Sequence, residues 1–249
     1  MLTSGSSALA PQRRLGISLS FRTADGTRVT EDLADAWSRP FERLPPARNL
    51  VQYKGQRNFT GSWWCATTAE HVGFESWVER DHVMLLDHAA TVVGIGSQPF
   101  GIDLETDDGT RSHVPDYFVR EIDGSVSVID VRPDELVGDD AAVFSATADA
   151  CELVGWKYRR VGRPDPVLIE NVRWLAGYRH PRCARQELCS QVKDMNLARN
   201  PARLVEVAQA LGDPVVTLPT VFHLLWRHDL TTDIHGARLS MNSLVRAEK

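Results

Sequence analysis

The stretch from Pro115 to Pro133 constrains the fold most. Two apolar runs, Tyr117-Phe118-Val119 and Val126-Ser127-Val128-Ile129, are joined through Asp123-Gly124. An Asp-Gly step between such runs signals a tight turn, so the two are expected to be neighbouring strands. The alternation of the second run breaks at Pro133, which has no N–H to give to a ladder. Within that run lies Asp130, a carboxylate that is costly to bury without a cation.

Periodicity extends the reading on both sides. Phe74, Trp77, Val78, Leu85 and Leu86 recur at helical spacing and predict a helix over 74–86, with Glu75 in its first turn. Ala90–Ile95 and Phe100–Leu104 read as strands, the first closing at Gln98-Pro99. Asp107-Asp108-Gly109 reads as a hairpin turn into a strand over His113–Val119. A helix over Ala141–Leu153, a strand over Lys157–Val161 and a helix over Pro166–Tyr178 follow. Upstream, short strands are expected at 15–19 and 27–30, the polar segment up to Leu50 carries no clear signal, and residues 1–15 read as a disordered lead. Helices alternating with antiparallel strands give an α/β core, a mixed sheet flanked by helices, over 16–180.

Beyond that, the pattern changes to short helices at Ala184–Met195, Asn200–Leu211 and Val216–Trp226, then two short strands around Gly236. Three helices closed by a hairpin describe a winged-helix-like domain over 181–249, with Arg227, His228, His235 and Arg238 in its last helix and wing.

No apolar run approaches the roughly 18 residues of a membrane span, and the first residues lack a signal peptide's apolar stretch, so a soluble cytoplasmic chain with no membrane partner is expected. Cys65, Cys151, Cys183 and Cys189 are too irregularly spaced for a disulfide framework. A zinc site from His180, Cys183 and Cys189 lacks a C-x2-C pair and a second pair to close a tetrahedron. The net charge of −5 hides a segregation: residues 1–60 hold 9 basic against 5 acidic side chains, 61–153 hold 4 against 19, and 154–249 hold 15 against 9. An acidic middle between basic flanks is either a solvated acidic surface or a carboxylate metal cluster between phosphate-contacting ends.

Metal-dependent phosphodiester hydrolysis needs carboxylates converging on a hard cation and a positive group near the scissile phosphate. Pro115-Asp116 on one strand and Asp130-Val131-Arg132 on the next supply these types, since residues two apart share a strand face. The pattern is P-D…(D/E)-x-K with Arg132 in the last place. Taken alone it is weak: Asp116 could be a strand-end turn former, and Asp130 with Arg132 a surface charge pair.

With Ser76-Trp77-Val78-Glu79, then Val92-Val93-Gly94-Ile95 and Gln98-Pro99, the chain resembles the TnsA-like endonuclease subunits of heteromeric transposases, of the restriction-endonuclease-like PD-(D/E)xK superfamily. Pro115-Asp116-Tyr117-Phe118-Val119, Asp130-Val131-Arg132-Pro133, Trp156-Lys157-Tyr158-Arg159 and Glu170-Asn171-Val172-Arg173-Trp174-Leu175 continue the likeness over Gly73–Tyr178. The resemblance implies a restriction-endonuclease-like core. It also implies Glu79, Asp116 and Asp130 as ligands of Mg2+, with Mn2+ able to substitute, and Arg132 at the place usually held by lysine. Glu75 competes with Glu79 for the helix position. The family's partners would be DNA at transposon ends, an integrase-type transposase cutting the other strand, and a regulatory ATPase docking on the C-terminal domain. Two other functions stay open: a stand-alone restriction or junction nuclease, and a non-catalytic DNA-binding or assembly subunit.

Overall fold

The computed structural model describes residues 15–48, 59–106 and 109–247; residues 1–14 of the expected lead fall outside these, and so do Asp107 and Asp108 of the expected hairpin turn. The chain is mixed α/β and divides into two compact units, Met1–Asp87 with Thr91–Arg163, and His88–Ala90 with Pro164–Lys249. The division falls ahead of the 180/181 boundary expected from sequence. Among the described residues no helix is long and apolar enough to cross a membrane.

The first unit opens with β1 (Ser18–Arg22) and β2 (Arg28–Asp32), paired antiparallel, and with α1 (Leu33–Ala36), whose first turn is capped by the Asp32 carboxylate accepting from Ala34 N–H. Strands β3 (Gly61–Trp64) and β4 (His71–Phe74) form a separate hairpin. Helix α2 (Trp77–His88) follows, then β5 (Val92–Ser97), β6 (Gly101–Thr106), β7 (Gly109–His113), β8 (Tyr117–Glu121), β9 (Val126–Val131), α3 (Ala141–Leu153) and β10 (Lys157–Val161). Two four-stranded sheets result, in the orders β2-β1-β6-β7 and β10-β9-β8-β5, with β10 parallel to β9 and the other pairs antiparallel.

Two expectations are corrected here. The strand expected over His113–Val119 is two strands in different sheets: β7 ends at His113, and β8 begins at Tyr117. Between them, Pro115 lacks the N–H that a ladder would use. The helix expected from Phe74 begins at Trp77, because Phe74 is the last residue of β4 and Ser76 caps the helix. Glu75 therefore precedes the first turn.

Phe41 sits at the centre of the apolar core, in a 3-10 turn (Phe41–Arg43) within the segment that carried no sequence signal. Its ring meets Phe21, Phe100, Phe118 and Trp156 edge-on at centroid distances of 5.2, 4.9, 5.4 and 6.1 Å. Edge-to-face pairs add to the burial of their area. Gly96 of β5 lets this turn approach, since a Cβ there would stand 2.8 Å from the Phe41 carbonyl oxygen. The β3–β4 hairpin is fastened to α2 by Asp87, whose buried carboxylate accepts from Trp63 Nε1 (2.9 Å), Cys65 Sγ (3.0 Å), the backbone N–H groups of Ala66 and Thr67, and Thr67 Oγ1.

The second unit contains α4 (Pro166–Ala176), α5 (Gln186–Asp194), β11 (Ala202–Arg203), α6 (Leu204–Leu211), α7 (Pro214–Trp226), β12 (Leu230–Thr231) and β13 (Leu244–Ala247), with sheet order β11-β13-β12. The second strand expected just after Gly236 lies at Leu244–Ala247 instead. The intervening residues are held by side chains: Asn171 of α4 donates to the carbonyls of Ile234 and Ala237 and accepts from Leu239 N–H. The neighbouring Glu170 pairs with Arg238. This gives a physical reason for the adjacent Glu-Asn in α4.

Candidate functional site

A cavity of about 290 Å³ in the first unit is lined by Glu79, Asp116, Asp130 and Arg132, and also by Arg48, Glu75, His113 and Asp140. The four residues singled out in the sequence thus face one polar cleft.

Glu79 occupies the first turn of α2. Ser76 Oγ accepts from its N–H at 3.1 Å, and its carboxylate accepts from Ser76 Oγ at 2.8 Å and from Glu75 N–H at 2.7 Å. This reciprocal arrangement is close to a capping box and satisfies donors at the helix start. The S-x-x-E spacing therefore has a structural role as well as any chemical one. Tyr117 Oη donates to the Glu79 carbonyl at 3.1 Å, which ties the start of α2 to the residue after Asp116.

Asp116 stands one residue before β8 and continues its ladder, donating its N–H to Ile129 O. Its Oδ2 accepts from Val131 N–H at 2.7 Å, which places the carboxylate over β9 between Asp130 and Arg132. The other oxygen accepts no hydrogen bond among the described residues. Burial, followed by the negative charges of Glu79 and Asp130, pushes the Asp116 carboxyl well above the usual carboxylate range. Burial also raises Glu79, against the hydrogen bonds it accepts.

Asp130 is 2% exposed. Both its oxygens are engaged, by His113 Nε2 at 3.0 and 2.9 Å and by Tyr158 Oη at 2.7 Å. Burial and the neighbouring Asp130 push the Tyr158 hydroxyl far up, so it remains a donor. Arg132 follows the end of β9; its Nε donates to Leu136 O at 3.0 Å and its Nη2 pairs with Asp140 at 2.6 Å. Arg48 pairs with Glu75 at 2.6 Å.

The oxygen-rich donor set suits a hard divalent cation. Asp116 fits best, since one of its oxygens accepts no hydrogen bond among the described residues, and Glu79 lines the same cleft; burial raises both carboxyls, a cost that a cation would offset. Asp130 would have to exchange a bond to His113 or Tyr158 for a bond to the ion. Among the described residues no group of three or more His, Cys, Asp or Glu side chains is already arranged to hold a metal ion.

Arg48, His113, Tyr158 and Asp140 join the site without having been singled out in the sequence. Tyr158 lies in the Trp156–Arg159 motif and His113 three residues before Asp116, whereas Arg48 and Asp140 stand in no motif. No model of a known protein family matches the chain, and no curated protein matches it.

Proposed function

We propose that the protein is a metal-dependent endodeoxyribonuclease with a restriction-endonuclease-like core and a winged-helix-like C-terminal unit, acting as the TnsA-like subunit that cuts the 5′ ends of a transposon. The observation that carries the reading is the placement of Asp116 against β9, its Oδ2 on Val131 N–H, with Asp130 and Arg132 on either side and Glu79 lining the same cleft. The order α5-β11-α6-α7-β12-β13 and the β11-β13-β12 sheet support the winged-helix assignment. The integrase-type transposase, the regulatory ATPase and the DNA ends rest on the family resemblance.

Glu79 and Asp116 would hold Mg2+ or Mn2+. When bound, such an ion supplies Lewis-acid charge to the phosphate and a more acidic water. Asp130 holds His113 at the cleft wall, and Arg132 offsets charge that builds on the phosphate oxygens. An arginine cannot shuttle a proton, so its part is electrostatic.

One observation favours the non-catalytic assembly subunit as a second reading: the Arg132 guanidinium is already committed to Leu136 and Asp140. A nicking assay on DNA carrying element ends, with Mg2+ and with or without the partner transposase, separates the readings. Cutting only with the partner, lost in Glu79→Ala and Asp116→Ala, supports the proposal. Cutting without it points to a stand-alone nuclease, and none in either condition to the assembly subunit.

A further inference from the structure

Two short segments, β10 with the residues just after it and the loop that follows Arg132, carry opposite charge. Residues 157–163 hold Lys157, Arg159, Arg160 and Arg163 with no acidic side chain, and residues 133–140 hold Asp134, Glu135, Asp139 and Asp140 with no basic one. The structure pairs them. Arg160 Nη1 meets Asp134 at 2.8 Å and Arg163 Nη2 meets Glu135 at 2.9 Å, while Arg132, at the end of β9, meets Asp140 at 2.6 Å. Arg132, just ahead of the acidic loop, is tied to the basic segment: its N–H donates to Val161 O, and Arg160 Nη1 donates to its carbonyl. Arg132, which lines the cleft, and Arg160 and Arg163, on the neighbouring strand and just after it, are thus each met by an acid from one eight-residue loop.

We propose that Arg132, Arg160 and Arg163 form a contact surface for the DNA phosphodiester backbone, and that the loop Pro133–Asp140 screens it by occupying the phosphate positions. The acidic partners are open to water, with side-chain exposures of 83% for Asp134, 57% for Glu135 and 44% for Asp140. Exposed pairs of this kind are weak and screened by salt, so a phosphate can replace them. The guanidinium fork suits either oxyanion, which makes the exchange chemically even. In the resting chain the loop keeps affinity for DNA low, in line with a net charge of −5. The inference rests on the nuclease reading only in taking DNA as the polyanion.

The test is binding of a fluorescein-labelled 30-base-pair duplex in EDTA, where no cutting occurs, over a range of salt. The Asp134→Asn/Glu135→Gln/Asp140→Asn protein is compared with wild type and with Asp25→Asn/Asp103→Asn/Glu105→Gln, which removes the same charge from exposed positions in the β1–β2 turn and on β6. The loop variant is expected to bind on the order of ten-fold tighter than the control near 0.1 M salt, with a salt slope steeper by up to about 3, as three freed arginines would give. Adding Arg160→Ala and Arg163→Ala to the loop variant should remove most of that gain. Binding no tighter than the control, or a gain that survives the two arginine substitutions, overturns the proposal. If the triple variant melts well below wild type, Asp134→Asn alone provides the same comparison against Asp103→Asn. A wild-type chain that binds DNA but never cuts it would sink the nuclease reading and leave this result standing.

Discussion

His113 closes one sheet onto the other by holding Asp130. It is the last residue of β7 in the first sheet, and its Nε2 meets both carboxylate oxygens of Asp130 on β9 of the second, at 3.0 and 2.9 Å. Tyr158 on the adjacent β10 completes the set at 2.7 Å. Asp130 is costly to bury alone, and these donors make its position in an apolar strand tenable.

A stability prediction follows from that relationship. Asp130→Ala removes a buried acceptor from two half-buried donors and should cost about 2 kcal/mol, whereas Tyr158→Phe removes one of three hydrogen bonds and should cost about 1 kcal/mol. Urea unfolding measures both. An Asp130→Ala midpoint indistinguishable from wild type would mean that the carboxylate contributes nothing to joining the sheets.

Asp87 supports a second prediction. Burial, followed by the charge of Asp87, pushes the Cys65 thiol up to about 12, so its thiolate is scarce at pH 8. Cys65 should resist a thiol reagent such as DTNB in the folded protein and react only on unfolding. Asp87→Ala leaves several donors unpaired, should destabilise by about 3 kcal/mol and should make Cys65 reactive through opening of the hairpin. Rapid labelling of Cys65 in the native wild type would contradict this account.

How far the sequence could be read depended on the range of the interactions. Helix α3 and strand β10 fall where their local patterns place them, at Ala141–Leu153 and Lys157–Val161, because periodicity within a dozen residues decides them. The β8–β9 pair was legible for the same reason, through its Asp123-Gly124 turn. The end of β7 at His113 was not, since strand propensity continues through Val114 and only the tertiary pairing assigns the two halves to different sheets. Arg48 meets Glu75 from 27 residues away, and Tyr158 meets Asp130 from 28. Nothing in either local pattern announces such a partner. Ser76 and Glu79 carried a helix-capping signal, so that spacing could not by itself separate capping from chemistry.

Arg132 yields a third prediction. If its part is to offset charge on the phosphate, Arg132→Lys should retain measurable cutting and Arg132→Ala should lose a factor of roughly 10² or more. Asp140→Asn, which frees the guanidinium from its ion pair, should not lower cutting. Single-turnover nicking rates test all three, and equal rates for wild type and Arg132→Ala would remove Arg132 from the chemistry.

The last prediction concerns pH and metal together. Asp116 and Glu79 both have carboxyls raised in the folded chain, Asp116 by burial and then by the charges of Glu79 and Asp130. A raised carboxyl means that the native state holds its proton more tightly than the unfolded chain does. The stability from these two groups is therefore fully present below the ordinary carboxylate pKa of about 4 and is lost as pH rises through their folded values. In EDTA, the melting temperature of wild type should exceed that of Asp116→Asn by less, or fall below it by more, as pH rises from about 5 to 7.5. A divalent cation binds the ionised carboxylates and competes with their protons, so it should act in the opposite sense. Millimolar Mg2+ or Mn2+ should raise the wild-type melting temperature more at pH 7.5 than at pH 5, and Asp116→Asn should blunt the effect. The measurement is a set of thermal melts at both pH values, with and without metal, for wild type, Glu79→Gln and Asp116→Asn. If all three proteins share one pH dependence and none responds to metal, the cleft is not a cation site, and the carboxylates are explained by helix capping and strand pairing alone.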